Sequence, residues 1–334
     1  MGGDGLETTG APRSGWRLAL AWVKAAVSVG LLWVLFTAYD LGDSISRIAA
    51  IDQWSLAFAA LAIPASVLLV TLRWRIVLAS LGEQIAPGPV FAMVMIGLFF
   101  NQVLPSNLGG DAMRIWRLCR RGVRAGHAVG SVMLDRVVAM VGLALLVLAT
   151  LPLAAGLIAD TTILAAFGLF ILAVVVGLAV LLGLDRVILM ARPVLPARLV
   201  GALSALAVDS RTVLLDRRRT AGIVALSVCN QLLIVLLIAV LARGLGIRAE
   251  PLSFLVLIPP VLLATMLPLS FAGWGVREGA MVALLGAVGV APGEALALSV
   301  AFGLLILLGS LPGGVVWLAT DSRSGGPPGK FPPR

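Results

Sequence analysis

Long apolar runs recur along almost the whole of this 334-residue chain. Each stretch of about 20 such residues is enough to cross a hydrocarbon core of roughly 30 Å, so lipid rather than water is the expected solvent. Six runs read as full spans, at roughly 16–39, 54–72, 127–150, 162–184, 220–242 and 294–320. Composition agrees: 12% of residues are charged, where an ordinary soluble domain carries about 25%. The longest polar connection runs only from about Asp185 to Arg219, too short for a soluble catalytic domain.

Two further apolar stretches are broken. The first, from about Pro89 to Leu108, ends in Asn101-Gln-Val-Leu-Pro105-Ser106-Asn-Leu-Gly109-Gly110-Asp111. The second, from about Pro251 to Val290, is interrupted by Leu267-Pro268-Leu-Ser270-Phe-Ala-Gly273-Trp-Gly275-Val-Arg277-Glu278. Pro and Gly at this density cannot continue a helix, so Pro105, Gly109, Gly110, Pro268, Gly273 and Gly275 are the expected hinge and turn positions.

Lys and Arg orient the spans, because basic residues accumulate on the cytoplasmic side. With a cytoplasmic N-terminus and both broken stretches re-entrant, nineteen basic residues fall inside and three, Arg47, Arg243 and Arg248, fall outside. A full span at 89–108 would instead turn the cluster from Arg114 to Arg124 outward. The resulting topology repeats itself in inverted form. Leu104-Pro105 and Leu267-Pro268 align at an offset of 163, which also carries 127–150 onto 290–313, while the first span of each half is out of register by about 18 residues. Inverted repeats with broken helices meeting near the midplane are a common transporter architecture. The expected fold is therefore all-α integral membrane: about six full spans plus two re-entrant broken-helix hairpins. Residues 1–15 and 321–334 are expected to be disordered cytoplasmic ends, flanking a transmembrane domain at 16–320 with halves at about 16–155 and 156–320.

Ionisable residues inside a span cost roughly 2.5 to 3.5 kcal/mol on insertion scales and need partners. Asp135 and Arg136 lie in one span, and Arg277 and Glu278 beside the second interruption. Pairs of Asp135 with Arg277 and of Arg136 with Glu278 are expected, with Asp111 competing for Arg136. Such a network either fixes helix packing or, since guanidinium matches phosphate as a fork, receives an anionic head group through Arg136 and Arg277. Asn101, Ser106 and Ser270 at the broken turns join the expected substrate-binding set of Asp111, Asp135, Arg136, Arg277 and Glu278. Asn230 and Gln231 read as hydrogen-bond glue between helices. Lys24 reads as a snorkelling residue, and Arg114–Arg124 and Arg186–Arg219 as clusters lying on anionic head groups.

Other chemistries find little support. A single histidine, His127, and two isolated cysteines, Cys119 and Cys229, make no metal motif, so neither a metal nor another cofactor is expected. The charge of +9 is explained by membrane orientation, and nucleic acid is not an expected partner. The run at 16–39 is too long for a cleavable signal, and Leu6 stands where a myristoylation signal wants Ser or Thr.

The segments Asn101–Arg114, Asp135-Arg136 and Pro268–Glu278 together resemble the transmembrane, flippase-like region of lysylphosphatidylglycerol synthetases, which also occurs as a stand-alone membrane protein. The likeness covers roughly residues 16–320. It implies translocation of a phospholipid or lipid-linked head group, without the attached synthetase domain of the bifunctional relatives. Relatives often carry Glu at the Asp135 position, which keeps the acid.

The expected function is that of a lipid translocase and not an enzyme, in the inner or plasma membrane with both termini cytoplasmic. Its partners would be membrane lipids, anionic phospholipids or lipid-linked head groups, supplied by a separate synthetase or glycosyltransferase. Two alternatives are an integral-membrane transferase on a polyprenyl phosphate, with Asp40 or Asp43 as its carboxylate, and an accessory subunit of an envelope pathway. Outside connections at 40–53, 151–161 and 243–251 are short for an acceptor site.

Overall fold

The computed structural model describes residues 29, 30, 33, 46–104, 108–158, 161–191, 196–266 and 273–321. The expected first span at 16–39, both terminal segments, and Lys24, Asp40 and Asp43 lie outside the described residues. Five helices are long and apolar enough to cross a membrane: α1 (Gln53–Ser80), α4 (Ala125–Leu157), α5 (Thr161–Leu182), α8 (Arg217–Gly244) and α11 (Pro292–Asp321). They coincide with the remaining five expected spans; all but α5 are longer than expected. At 1.5 Å per residue, the 33 residues of α4 reach about 50 Å.

Both interrupted stretches are helix–break–helix. The first is α2 (Pro87–Val103) and α3 (Gly109–Arg120); the second is α9 (Pro251–Met266) and α10 (Val276–Gly286). The basic connection, read from sequence only as the longest polar stretch, forms two helices, α6 (Leu184–Ala191) and α7 (Ala197–Leu214). Its apolar residues recur at helical spacing, so Leu184, Ile188 and Ala207 pack into a small cluster of their own.

Local chemistry sets the helix starts. Asp52 caps α1, its side chain accepting from the N–H groups of Trp54 and Ser55, and Asp216 caps α8 by accepting from Arg218 and Arg219. Proline opens α2, α9 and α11, where its missing N–H costs nothing. These signals recur at fixed spacing. From α1 to α8, and again from α2 to α9, the starts are 164 residues apart; from α3 to α10 and from α4 to α11 they are 167 apart.

Packing repeats as well. The central pair is α1 on α8, and the first half of each broken stretch packs on the long helix of the other half, α2 on α11 and α9 on α4. The second halves pack on their own long helices, α3 on α4 and α10 on α11. Polar contacts mark two ends of the bundle. At one, His127 Nδ1 lies 3.1 Å from Glu83 Oε1, and Arg117 donates to Thr320 Oγ1 at 2.9 Å. At the other, Arg47 meets Glu294 at 3.1 Å and Ser55 Oγ donates to the Val240 carbonyl at 3.1 Å.

Two apolar clusters fill the interior. One gathers Trp74, Leu78, Met93, Leu118, Leu134 and Ile223; the other Ile63, Leu237, Leu257, Met281, Leu285 and Leu298. Along α8 they divide between Ile223 and Val235, the stretch that carries Ser227, Asn230 and Gln231.

Candidate functional site: a buried arginine layer and its cavities

Three helices converge on Asp135. From α1, Arg73 Nε donates to Asp135 Oδ1 at 2.8 Å while its Nη1 donates to Ser227 Oγ on α8 at 3.1 Å. From α3, Arg114 Nη2 donates to Asp135 Oδ2 at 2.9 Å. Asp135, Arg73 and Arg114 are all buried, and the Arg114 guanidinium also lies 3.8 Å from the Trp74 ring centroid, a cation–π contact that suits a desolvated site. Asp111, in the first turn of α3, reaches Arg114 at 3.8 Å and accepts from Arg136 Nε.

The turn into α3 is tight because Gly110 permits it. A Cβ there would run into the Gly97 carbonyl of α2, and the Gly110 N–H donates to Asn101 Oδ1 at 2.8 Å. Asn101 thus joins the two halves of the first break.

The second break has its own pair. Gly273 and Gly275 both take positive φ, 82° and 87°, conformations that strain an L side chain, and α10 begins immediately afterwards. Glu278 Oε2 accepts from the Gly275 N–H at 2.6 Å, and its Oε1 accepts from Arg277 Nη2 at 2.6 Å and from Ser299 Oγ at 3.0 Å. Arg277 is flanked by Trp274 and Phe302, 4.7 and 5.7 Å from the ring centroids.

These pairings correct two expectations. Asp135 is taken by Arg73 and Arg114, not by Arg277, and Glu278 is taken by its neighbour Arg277, not by Arg136. A side chain as long as Arg can fold back along its own helix start, so sequence adjacency does not prevent the pair. The competitor, Asp111 for Arg136, is the pairing observed. Arg73, one of the nineteen basic residues counted on the inside, and Arg114, read as part of the Arg114–Arg124 cluster, are instead the central cations. For Arg73 the signal was present: apolar Ile76-Val77-Leu78-Ala79 follows Arg75, so α1 runs on to Ser80. Pro105, Ser106, Pro268 and Ser270 lie outside the described residues.

Two small cavities flank this layer. One, about 160 Å³, is lined by Ser66, Asn101, Asp111 and Arg114 among apolar residues. The other, about 300 Å³, is lined by Arg73 and Arg277 with Asn230, Gln231, Thr265 and apolar side chains. Ile234 and Ile306 line both, and the Ser66 Oγ to Asn230 Oδ1 hydrogen bond of 2.7 Å bridges them. Asn230 therefore does act between helices, whereas Gln231 faces the second cavity. Met266 lines that cavity and also a large apolar one of about 770 Å³ bounded by Val137, Phe167, Leu181 and Pro260. Among the described residues no group of His, Cys, Asp and Glu is suited to a metal ion.

Among the described residues, Arg73, Arg114 and Arg136 pair with Asp111 and Asp135. The broken helices, the buried arginine layer and the multi-pass apolar bundle are features of one polytopic membrane protein. No curated protein matches the chain. Residues 21–313, however, match the family described as the Lysylphosphatidylglycerol synthase TM region, and the chain belongs to that family.

Proposed function

We propose that the protein is a lipid translocase, moving a phospholipid or lipid-linked head group across the cell membrane without altering it chemically. The observation that carries this reading is the adjacency of two unlike cavities: a polar one lined by Arg73 and Arg277, and a large apolar one that shares Met266 with it. A lipid needs both a polar seat for its head group and an apolar path for its chains. Arg73 belongs to the first half and Arg277 to the second, so relative motion of the halves would change the seat itself.

The proposed architecture is an inverted repeat with two hairpins re-entering from opposite faces. Its support is the 164- and 167-residue recurrence of helix starts and the exchanged packing of α2 on α11 and α9 on α4. The Glu83–His127 contact also brings the start of α2 close to the residues following α3. Basic residues favour cytoplasmic termini. A separate synthetase or glycosyltransferase would supply the lipid.

Reconstitution tests the proposal. Proteoliposomes carrying fluorescent phospholipid should expose inner-leaflet label to an external quencher faster than protein-free vesicles, with the lipid unchanged by mass. Arg277→Lys and Arg73→Lys keep charge but lose the fork, and each is expected to slow translocation by roughly tenfold or more at an unfolding midpoint close to that of the wild type. Wild-type rates in both variants would make the network purely structural. Conversion of a lipid-linked sugar or aminoacyl donor by the purified protein would favour a transferase instead.

A further inference from the structure

We infer that the cavity between Arg73 and Arg277 seats a phosphodiester and discriminates against head groups bearing an uncompensated cation; this rests on the translocase reading and names its substrate chemistry. Both arginines are more than nine-tenths buried, at 4% and 6% exposure. Each is anchored on one side only. Arg73 uses Nε and Nη1 on Asp135 and Ser227, and Arg277 uses Nε and Nη2 on Glu278 and Ser299. Arg73 Nη2 and Arg277 Nη1 have no hydrogen-bond partner among the described residues. A guanidinium has five N–H donors, so two forks, one from each half, keep donors for an oxyanion.

No carboxylate is among the described residues that line the cavity. The nearest acids are committed elsewhere: Asp135 accepts from an arginine on each oxygen, and Glu278 from Gly275, Arg277 and Ser299. An ammonium group entering here would meet two guanidinium groups and no counter-charge. A phosphodiester, by contrast, would accept from the donors that Arg73 and Arg277 keep on the cavity side.

Gln231 completes the seat. It is 6% exposed, lines the cavity, and its side-chain amide has no hydrogen-bond partner among the described residues. An amide that faces the cavity keeps its donor and acceptor for a ligand, and a hydroxylated or otherwise neutral head group would satisfy both. The polar cavity of about 300 Å³ holds such a group, while acyl chains fit the apolar cavity of about 770 Å³ beside it.

The test uses the full chain in detergent and in proteoliposomes, with three lipids of identical acyl chains: phosphatidylglycerol, its lysyl ester, and diacylglycerol. Native mass spectrometry and unfolding midpoints should show phosphatidylglycerol retained roughly tenfold over the lysyl ester, and diacylglycerol not retained. Gln231→Glu places a carboxylate in the cavity without disturbing an existing hydrogen bond, and should reverse the order of the two phospholipids. Gln231→Met should weaken phosphatidylglycerol retention while leaving the unfolding midpoint of the lipid-free protein in place. Equal retention and transport of both phospholipids by wild type and Gln231→Glu would overturn the inference and leave the translocase reading standing. Stabilisation by inorganic phosphate alone equal to that by phosphatidylglycerol would reassign the site to a free anion. If no lipid of any class binds or moves, the translocase reading falls and this inference with it.

Discussion

Asp135 accepts from arginines on two other helices, so its single charge holds α1, α3 and α4 together at one point. Its removal strands two buried guanidinium groups, and breaking a buried pair typically costs about 3–5 kcal/mol. Asp135→Asn is accordingly expected to lower the unfolding midpoint sharply, whereas Asp135→Glu retains the charge and most of the stability. Thermal unfolding in detergent measures both, and an Asp135→Asn midpoint equal to wild type would mean the ion pairs contribute nothing. At this scale the sequence was only partly legible. Asp111 was readable as a competitor for Arg136, since an acid just after the Gly109-Gly110 break and a cation inside an apolar span each need a partner. Arg114 was not, and for Arg73 only the continuation of its helix past Arg75 was, because hydropathy cannot distinguish a cation that snorkels from one that a neighbouring helix covers; that depends on which helix lies alongside.

At the scale of elements, the caps of α1 and α8 perform the same task 164 residues apart. Asp216→Ala should cost about 1 kcal/mol, and Asp216→Asn much less, by unfolding measurements. Asp52 adds a pH dependence: the Ser55 hydroxyl, 2.6 Å from its Oδ2, together with the Ser55 and Trp54 N–H groups, draws its carboxyl below the ordinary value. A depressed carboxylate contributes stability that is present above its unfolded pKa, roughly pH 4, and is lost as pH falls through the folded value. The gap between wild type and Asp52→Ala should therefore close on acidification; a gap independent of pH would show that the charge is irrelevant. Long apolar elements were legible from sequence because burial in lipid leaves a 20-residue imprint on composition. The helices of the basic connection were missed because α6 and α7 mix charge with apolar residues, and their single apolar face emerges only when they pack on each other.

For the whole molecule, both hairpins and the proposed orientation can be checked by cysteine accessibility after Cys119 and Cys229 are replaced. Cysteines at Arg120 and Arg323 are expected to label from the cytoplasmic side only. External labelling at Arg120 would remove the first hairpin, and at Arg323 the second. By itself the sequence determined the solvent of this protein, the number and approximate position of its described spans, and the two places where helices must break. Those properties follow from apolar length and from the backbone restrictions of Pro and Gly, which act locally. Only tertiary structure decided which charge meets which, that Arg73 rather than Arg136 joins Arg277 at the cavity, and that Asn230 bonds Ser66 while Gln231 has no hydrogen-bond partner among the described residues. The physical reason is reach: a guanidinium on a flexible stem can serve a carboxylate one residue away on its own helix or dozens away on another, and the choice is made by how α1, α4, α8 and α10 pack.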